Sequence, residues 1–167
     1  YQGADGVKTG YTGKAGRCLV TSATRDGRRY ISVVLNSPSR TMRAQSSRKI
    51  LDYAFNNYKS YKLLDDGAII AKLPVIKGIN NEIEIETTNT IVMPLRDDEY
   101  MKIQKKVILP DEMEAPVYAG VNVGIVQFFL NGELLVQNDL KTRSDVDIKN
   151  FRYYFDLIIK EWLKLIH

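Results

Sequence analysis

Three patterns of apolar and polar positions follow one another along the chain. The first begins with two apolar runs. Arg17-Cys-Leu-Val-Thr-Ser-Ala-Thr24 is rich in small and β-branched residues and predicts a covered strand. Arg29-Tyr-Ile-Ser-Val-Val-Leu35 predicts the return strand, and Asp26-Gly27 supplies the positive-φ residue of a tight hairpin between them. Ser37-Pro38-Ser39 ends this strand, and Ser39 or Thr41 is placed to cap a helix. Within the helix Ile50, Leu51, Ala54, Phe55 and Tyr58 recur at helical spacing and predict one buried face, with Asn56-Asn57 at the end. Two antiparallel strands and a helix cannot bury enough surface to form a domain. Residues 1–60 are therefore expected to be one edge of a larger α/β unit.

The second pattern, within residues 61–147, consists of short apolar runs separated by turn residues: 69–76, 83–93, 100–109, 117–121, 124–130 and 134–140. Ile83, Ile85 and Thr87 alternate with Glu82, Glu84 and Glu86, which predicts a half-buried strand with a charged outer face. Asn131-Gly132 between two apolar runs predicts a two-residue hairpin. This stretch reads as a small all-β sandwich, so the whole chain is of the α+β class. The third pattern, residues 148–167, is helical from about Asp147. Ile148, Phe151, Phe155, Ile158, Ile159, Trp162, Leu165 and Ile166 fall on one side, with Lys149, Asp156, Lys160 and Lys164 opposite.

Charge sharpens this division. The net +4 of the chain conceals +8 in residues 1–60, −6 in residues 61–147 and +2 in the tail, as modules with different partners would show. Cys18 is the only cysteine and His167 the only histidine, which excludes an internal disulfide, a thiolate metal cage and a histidine-based triad. No cofactor is expected. No run approaches the ~18 apolar residues of a membrane span. Tyr1 opens the chain directly into a Gly-rich stretch, so an upstream portion is expected. Nucleic acid is not expected as a partner, because the basic residues are not interleaved with aromatics and the middle module is acidic.

The candidate chemistry lies in Gly6-Val-Lys-Thr-Gly-Tyr-Thr12. Lys8 offers a cation, Thr9 a hydroxyl for a carboxylate, and Gly10 a backbone without a side chain to hold a substrate off. Alone, the triplet also fits an exposed turn. Its setting, Asp5-Gly-Val-Lys-Thr-Gly-Tyr-Thr-Gly-Lys-Ala-Gly16 followed by the two strands, the Arg43 helix, Leu51-Asp-Tyr-Ala-Phe55, Ala115-Pro-Val and Val123-Gly-Ile-Val-Gln-Phe, resembles the serine-type D-alanyl-D-alanine carboxypeptidases. These are low-molecular-weight penicillin-binding proteins. The resemblance covers essentially the whole chain and implies the C-terminal part of such an enzyme: the edge of a β-lactamase/transpeptidase-like domain, a β domain and an amphipathic helix.

By that resemblance Lys8, Thr9 and Gly10 match the third active-site motif, with Lys8 catalytic and Tyr11 lining the cleft. Arg43 matches a basic position that receives the substrate's terminal carboxylate; as a residue alone it reads equally as a solvated helix arginine. The implied partners are peptidoglycan stem peptides ending in D-Ala-D-Ala, β-lactams that mimic them, and a membrane surface met by Phe151, Phe155, Ile158, Trp162 and Ile166. The implied location is the outer face of the bacterial cytoplasmic membrane, held peripherally. The family's Ser-x-x-Lys and Ser-x-Asn motifs precede Lys-Thr-Gly, where this chain has only seven residues. Ser46-Ser-Arg-Lys49 fits the first pattern formally but follows Lys-Thr-Gly and is expected on a solvated helix face, so the chain alone is expected to be inert. A non-catalytic β spacer or docking module at the membrane is the alternative.

Overall fold

A computed structural model describes residues 1–165, apart from the side chains of residues 161 and 163–165. It divides into two units. The first comprises Tyr1–Tyr61 with Met93–Tyr100, and the second comprises Lys62–Val92 with the chain from Met101 onward.

The first unit is a three-stranded antiparallel sheet backed by a helix. Strands β1 (Ala4–Thr12), β2 (Gly16–Arg25) and β3 (Arg28–Ser37) lie in the order β1-β2-β3, with helix α1 (Arg40–Asn57) following. The hairpin between β2 and β3 turns at Asp26 and Gly27, with φ of 50° and 73°, as the Asp-Gly pair leads one to expect. Two strands were expected and three are present: the Lys-Thr-Gly segment itself is the third. Its glycines lower its strand propensity, but pairing along β2 from Ala4↔Ala23 to Thr12↔Gly16 holds it extended. The bulge between Ala4 and Gly6 needs glycine, since a Cβ at Gly6 would stand 2.7 Å from the Ser22 hydroxyl.

Ser39 caps α1 through a 3.1 Å hydrogen bond donated by the Met42 N–H. The helix buries Ser47, Leu51 and Phe55, one residue every four positions. Leu51 and Phe55 pack with Ala23, and Tyr30 meets Phe55 edge-to-face at 4.9 Å between ring centres. Two details depart from the sequence reading. Ile50 is exposed, because the sheet accepts a single row of the helix and Ile50 lies ~100° around from Leu51. Ser47, expected at a solvated face, is buried and shares a 2.6 Å hydrogen bond with Ser32 of β3. Strand β4 (Lys59–Leu64) then pairs with β7 (Ile91–Leu95) as a two-stranded ribbon. After β7, helix α2 (Asp97–Tyr100) returns to the first unit. There Asp97 accepts hydrogen bonds from Lys59 at 2.7 Å and Tyr61 at 2.6 Å, and the Tyr61 and Tyr100 rings stack at 4.1 Å.

The second unit is built on a six-stranded sheet. Its strands are β5 (Ile69–Ile76), β6 (Glu82–Thr87), β8 (Gln104–Ile108), β9 (Met113–Glu114), β10 (Asn122–Leu130) and β11 (Glu133–Thr142), in the order β8-β10-β11-β6-β5-β9. Along β6 the alternation expected from the sequence appears: Ile83, Ile85 and Thr87 are buried, while Glu84 and Glu86 form ion pairs with Lys72, Lys141 and Arg143. Asn131 and Gly132, with φ of 52° and 87°, turn the β10–β11 hairpin. The run 83–93 is broken at Thr88–Thr90 into β6 and β7. The run 100–109 begins as α2, where the Glu99 carboxylate accepts the Arg96 N–H at 2.9 Å, and continues as β8. Val117 makes only an isolated bridge to Val146. The tail helix α3 (Phe151–Leu165) starts later than Asp147, because Ile148 bridges Gly78 and the Lys149 N–H donates to the Lys77 carbonyl at 2.8 Å. Asn150 then caps it, accepting the Tyr153 N–H at 3.0 Å.

Candidate functional site

The edge strand β1 divides the Lys-Thr-Gly triplet between two faces of its sheet. Thr9 lies opposite Leu19, whose side chain faces α1, whereas Lys8 lies opposite Val20 on the other face. Both residues are exposed, and no described strand pairs with the free edge of β1. A cavity of about 540 Å³ opens at this edge, lined by Thr9, Gly10, Tyr11, Arg17, Arg40 and Arg43. Gly10 leaves room there: a Cβ would touch only the Cys18 Cβ, at 3.8 Å, so nothing within the chain's own packing demands a glycine. The Tyr11 ring is 67% exposed, and the Arg17 guanidinium lies 5.2 Å from its centre.

Arg43 is fixed from behind. Its Nη1 donates to the Cys18 carbonyl at 3.1 Å, and its buried Nε has no partner among the described residues. It comes from the first turn of α1, three residues after Arg40, and that turn contains no acidic residue. Thr9 and Arg43 also border a second, mostly apolar cavity of about 300 Å³ between β1, β2 and α1.

Asp5 anchors the strand that carries these groups. Its carboxylate accepts hydrogen bonds from Ser22 and Thr24, both at 2.5 Å, and from Arg29 at 3.3 Å. These hold its carboxyl below the usual range, the Ser22 hydroxyl first and Thr24 next, against a smaller opposing effect of desolvation.

Of the residues singled out in the sequence, the structure brings Thr9, Gly10, Tyr11 and Arg43 to one cavity and leaves Lys8 on the opposite face. Arg17 and Arg40 belong to the cavity and were not singled out. A register count across the β1–β2 turn would have placed Arg17 opposite Tyr11, and helical spacing would have placed Arg40 beside Arg43. Ser46 and Lys49 do not line the cavity. On α3, Phe151, Phe155, Ile158 and Trp162 are exposed by 83%, 51%, 66% and 63%, whereas Ile166 lies outside the described residues.

An open strand edge beside convergent guanidinium groups is suited to holding the anionic end of an extended peptide. A family model described as "Penicillin-binding protein 5, C-terminal domain" matches residues 58–147, and one described as "D-alanyl-D-alanine carboxypeptidase" matches residues 1–39. The chain belongs to the D-alanyl-D-alanine carboxypeptidase family of penicillin-binding proteins. Among D-alanyl-D-alanine carboxypeptidases, DacF of Bacillus subtilis is 30% identical over 98% of this chain and 42% of its own length. DacA of Escherichia coli is 29% identical over 97% of this chain and 40% of its own. Penicillin-binding protein 5 from Haemophilus influenzae matches in structure with a TM-score of 0.65 at 29% identity, over 84% of this chain and 42% of its own. The chain thus spans about two fifths of the length of these carboxypeptidases. Helix α1, with Arg40 and Arg43, lies between the two spans matched by the family models.

Proposed function

We propose that this chain is the C-terminal part of a serine-type D-Ala-D-Ala carboxypeptidase that trims peptidoglycan stem peptides. The observation that carries this reading is the Thr9–Gly10–Tyr11 edge, which faces Arg43 across an open cavity. A peptide laid along the free edge of β1 would gain backbone hydrogen bonds, with its terminal carboxylate between the Thr9 hydroxyl and the Arg43 guanidinium. That clamp fixes the scissile bond relative to the strand. A serine from a segment preceding Lys-Thr-Gly attacks the carbonyl carbon of the D-Ala-D-Ala bond. The C–N bond breaks, the departing amine takes up a proton, and D-alanine leaves. Water then hydrolyses the acyl-serine ester. β-Lactams acylate the same serine. Lys8 serves from the opposite face as the cation beside the nucleophile.

The exposed apolar side of the sheet supports a further catalytic segment. Ile31, Val33 and Leu35 share the face of Lys8 and are 63%, 55% and 68% exposed, a surface that such a segment would cover. In this reading residues 1–60 form the catalytic edge, residues 61–147 the β domain, and the tail helix α3, from Phe151, lies on the outer face of the cytoplasmic membrane. Among the described residues no helix is long and apolar enough to cross a membrane; the exposed apolar stripe of α3 is what supports a peripheral attachment.

The test is labelling with a fluorescent penicillin. A longer protein carrying Ser-x-x-Lys and Ser-x-Asn ahead of Lys8 should be acylated, and the 167-residue chain should not. Stable labelling of the 167-residue chain would place the nucleophile within it and overturn this account.

A further inference from the structure

A further polar cavity lies at the other end of α1 from the β1 edge, about 20 Å along the helix from Arg43. It has a volume of about 310 Å³ and is lined by Asn56, Asn57, Lys59, Arg96, Asp97 and Asp98, all of the first unit. Its charges cancel. Lys59 pairs with Asp97 at 2.7 Å and Arg96 with Asp98 at 3.4 Å, so net charge selects neither a cation nor an anion. The lining offers donors and acceptors instead. Asn56 is exposed, and its side-chain amide has no hydrogen-bond partner among the described residues. Asn57 donates one N–H to the Tyr53 carbonyl at 2.8 Å, which leaves its side-chain oxygen to accept. Each Asp97 oxygen has one partner, Lys59 or Tyr61, and a second lone pair.

Tyrosine rings stand beside these polar groups. Tyr53, 55% exposed, precedes Asn57 by one helical turn and meets Tyr58 edge-on at 6.4 Å. Tyr100, 43% exposed, stacks on Tyr61, whose hydroxyl donates to Asp97. Open rings next to amides and carboxylates suit a neutral sugar, whose C–H face lies on a ring while its hydroxyls bridge donors and acceptors. An acetamido group, with one N–H and one C=O, complements the unpartnered amide of Asn56. We propose that this cavity binds an N-acetylated amino-sugar oligosaccharide, with an acetamido group on Asn56 and a pyranose face on Tyr53. The site is separate from Thr9 and Arg43 and does not depend on their holding a carboxylate.

The probes are triacetylchitotriose and cellotriose, which share a β-linked pyranose chain and differ in the acetamido groups. Each is titrated into this chain and followed by NMR at the amides of residues 53–61 and 96–100. Triacetylchitotriose should shift these amides, with a dissociation constant that changes less than about twofold between ~0.01 M and ~0.1 M salt, as a neutral ligand in a charge-balanced cavity requires. Cellotriose should bind roughly three- to tenfold more weakly, the effect of one hydrogen-bonded group. Asn56→Ala, at an exposed position without side-chain partners, should remove that difference. Tyr53→Ala should weaken both sugars by roughly three- to tenfold through loss of the ring. Absence of shifts at these residues in millimolar triacetylchitotriose would overturn the site. Equal binding of the two sugars to the unsubstituted chain would overturn the acetamido contact. Binding indifferent to both substitutions would put the sugar elsewhere and overturn the proposal. None of these outcomes touches the β1 edge, which penicillin labelling addresses separately.

Discussion

At the scale of single residues, Asp5 shows how a side chain outside the cavity sets its geometry. The bulge before Gly6 turns its carboxylate onto Ser22 and Thr24 of β2, so the strand carrying Thr9 is pinned three residues ahead of the triplet. Because the folded state holds the Asp5 carboxyl below its unfolded value, the stabilisation is present above the ordinary carboxylate range. It is lost as pH falls through the lowered folded value. Asp5→Asn should therefore reduce the melting temperature at neutral pH and flatten its fall on acidification below about pH 4, read from thermal melts across pH. An unchanged acid limb in Asp5→Asn would mean that the carboxylate does not anchor β1. Asp5 stood in the quoted motif without a role, because its partners lie 17 and 19 residues away and no local pattern announces them.

At the scale of elements, what the sequence disclosed was local. Asp26-Gly27 and Asn131-Gly132 specify their turns by their own φ preferences, and the Glu/Ile alternation of β6 survives into the fold because one face meets water. The strand β1 was not legible as regular structure. Its ladder with β2 supplies what its glycines lack, and that pairing is a tertiary fact. Arg17 and Arg40 escaped notice for the same reason, since only the hairpin register and the first turn of α1 bring them to Arg43. Ser47 is the clearest departure. Polar and helical, it reads as a surface residue, yet it is only 3% exposed and is matched by Ser32, which is 1% exposed. Ser47→Ala should cost about 1–3 kcal/mol in chemical denaturation, because the Ser32 hydroxyl is left buried without its partner. Ser32→Ala/Ser47→Ala should recover most of that loss. Additive losses in the double variant would show that the two hydroxyls are not coupled across the α1–β3 contact.

At the scale of the whole molecule, charge and apolar surface are distributed in a way that a single soluble core does not require. The first sixty residues carry +8 and open a cavity lined by three arginines, the β region carries −6 and ties much of it into ion pairs along β6, and the tail returns to +2. The described part of α3 leaves Phe151, Phe155, Ile158 and Trp162 exposed at spacings of four, three and four, with the Phe151 and Phe155 rings stacked at 6.1 Å. Intramolecular packing would have buried that stripe. If a lipid interface buries it instead, four large side chains leaving water at ~1.5–3 kcal/mol each supply about 6–12 kcal/mol before the cost of immobilisation. At such an interface Lys149, Arg152 and Lys160 would add attraction to anionic headgroups of about 1 kcal/mol each. Binding to phosphatidylglycerol-containing vesicles should therefore weaken with salt but not vanish, since the apolar part is unscreened. Phe155→Asp/Trp162→Asp should abolish co-sedimentation, because it removes two of the four anchors and places charge at the interface. Retention of the doubly substituted chain on vesicles would show that the stripe is not what meets the lipid.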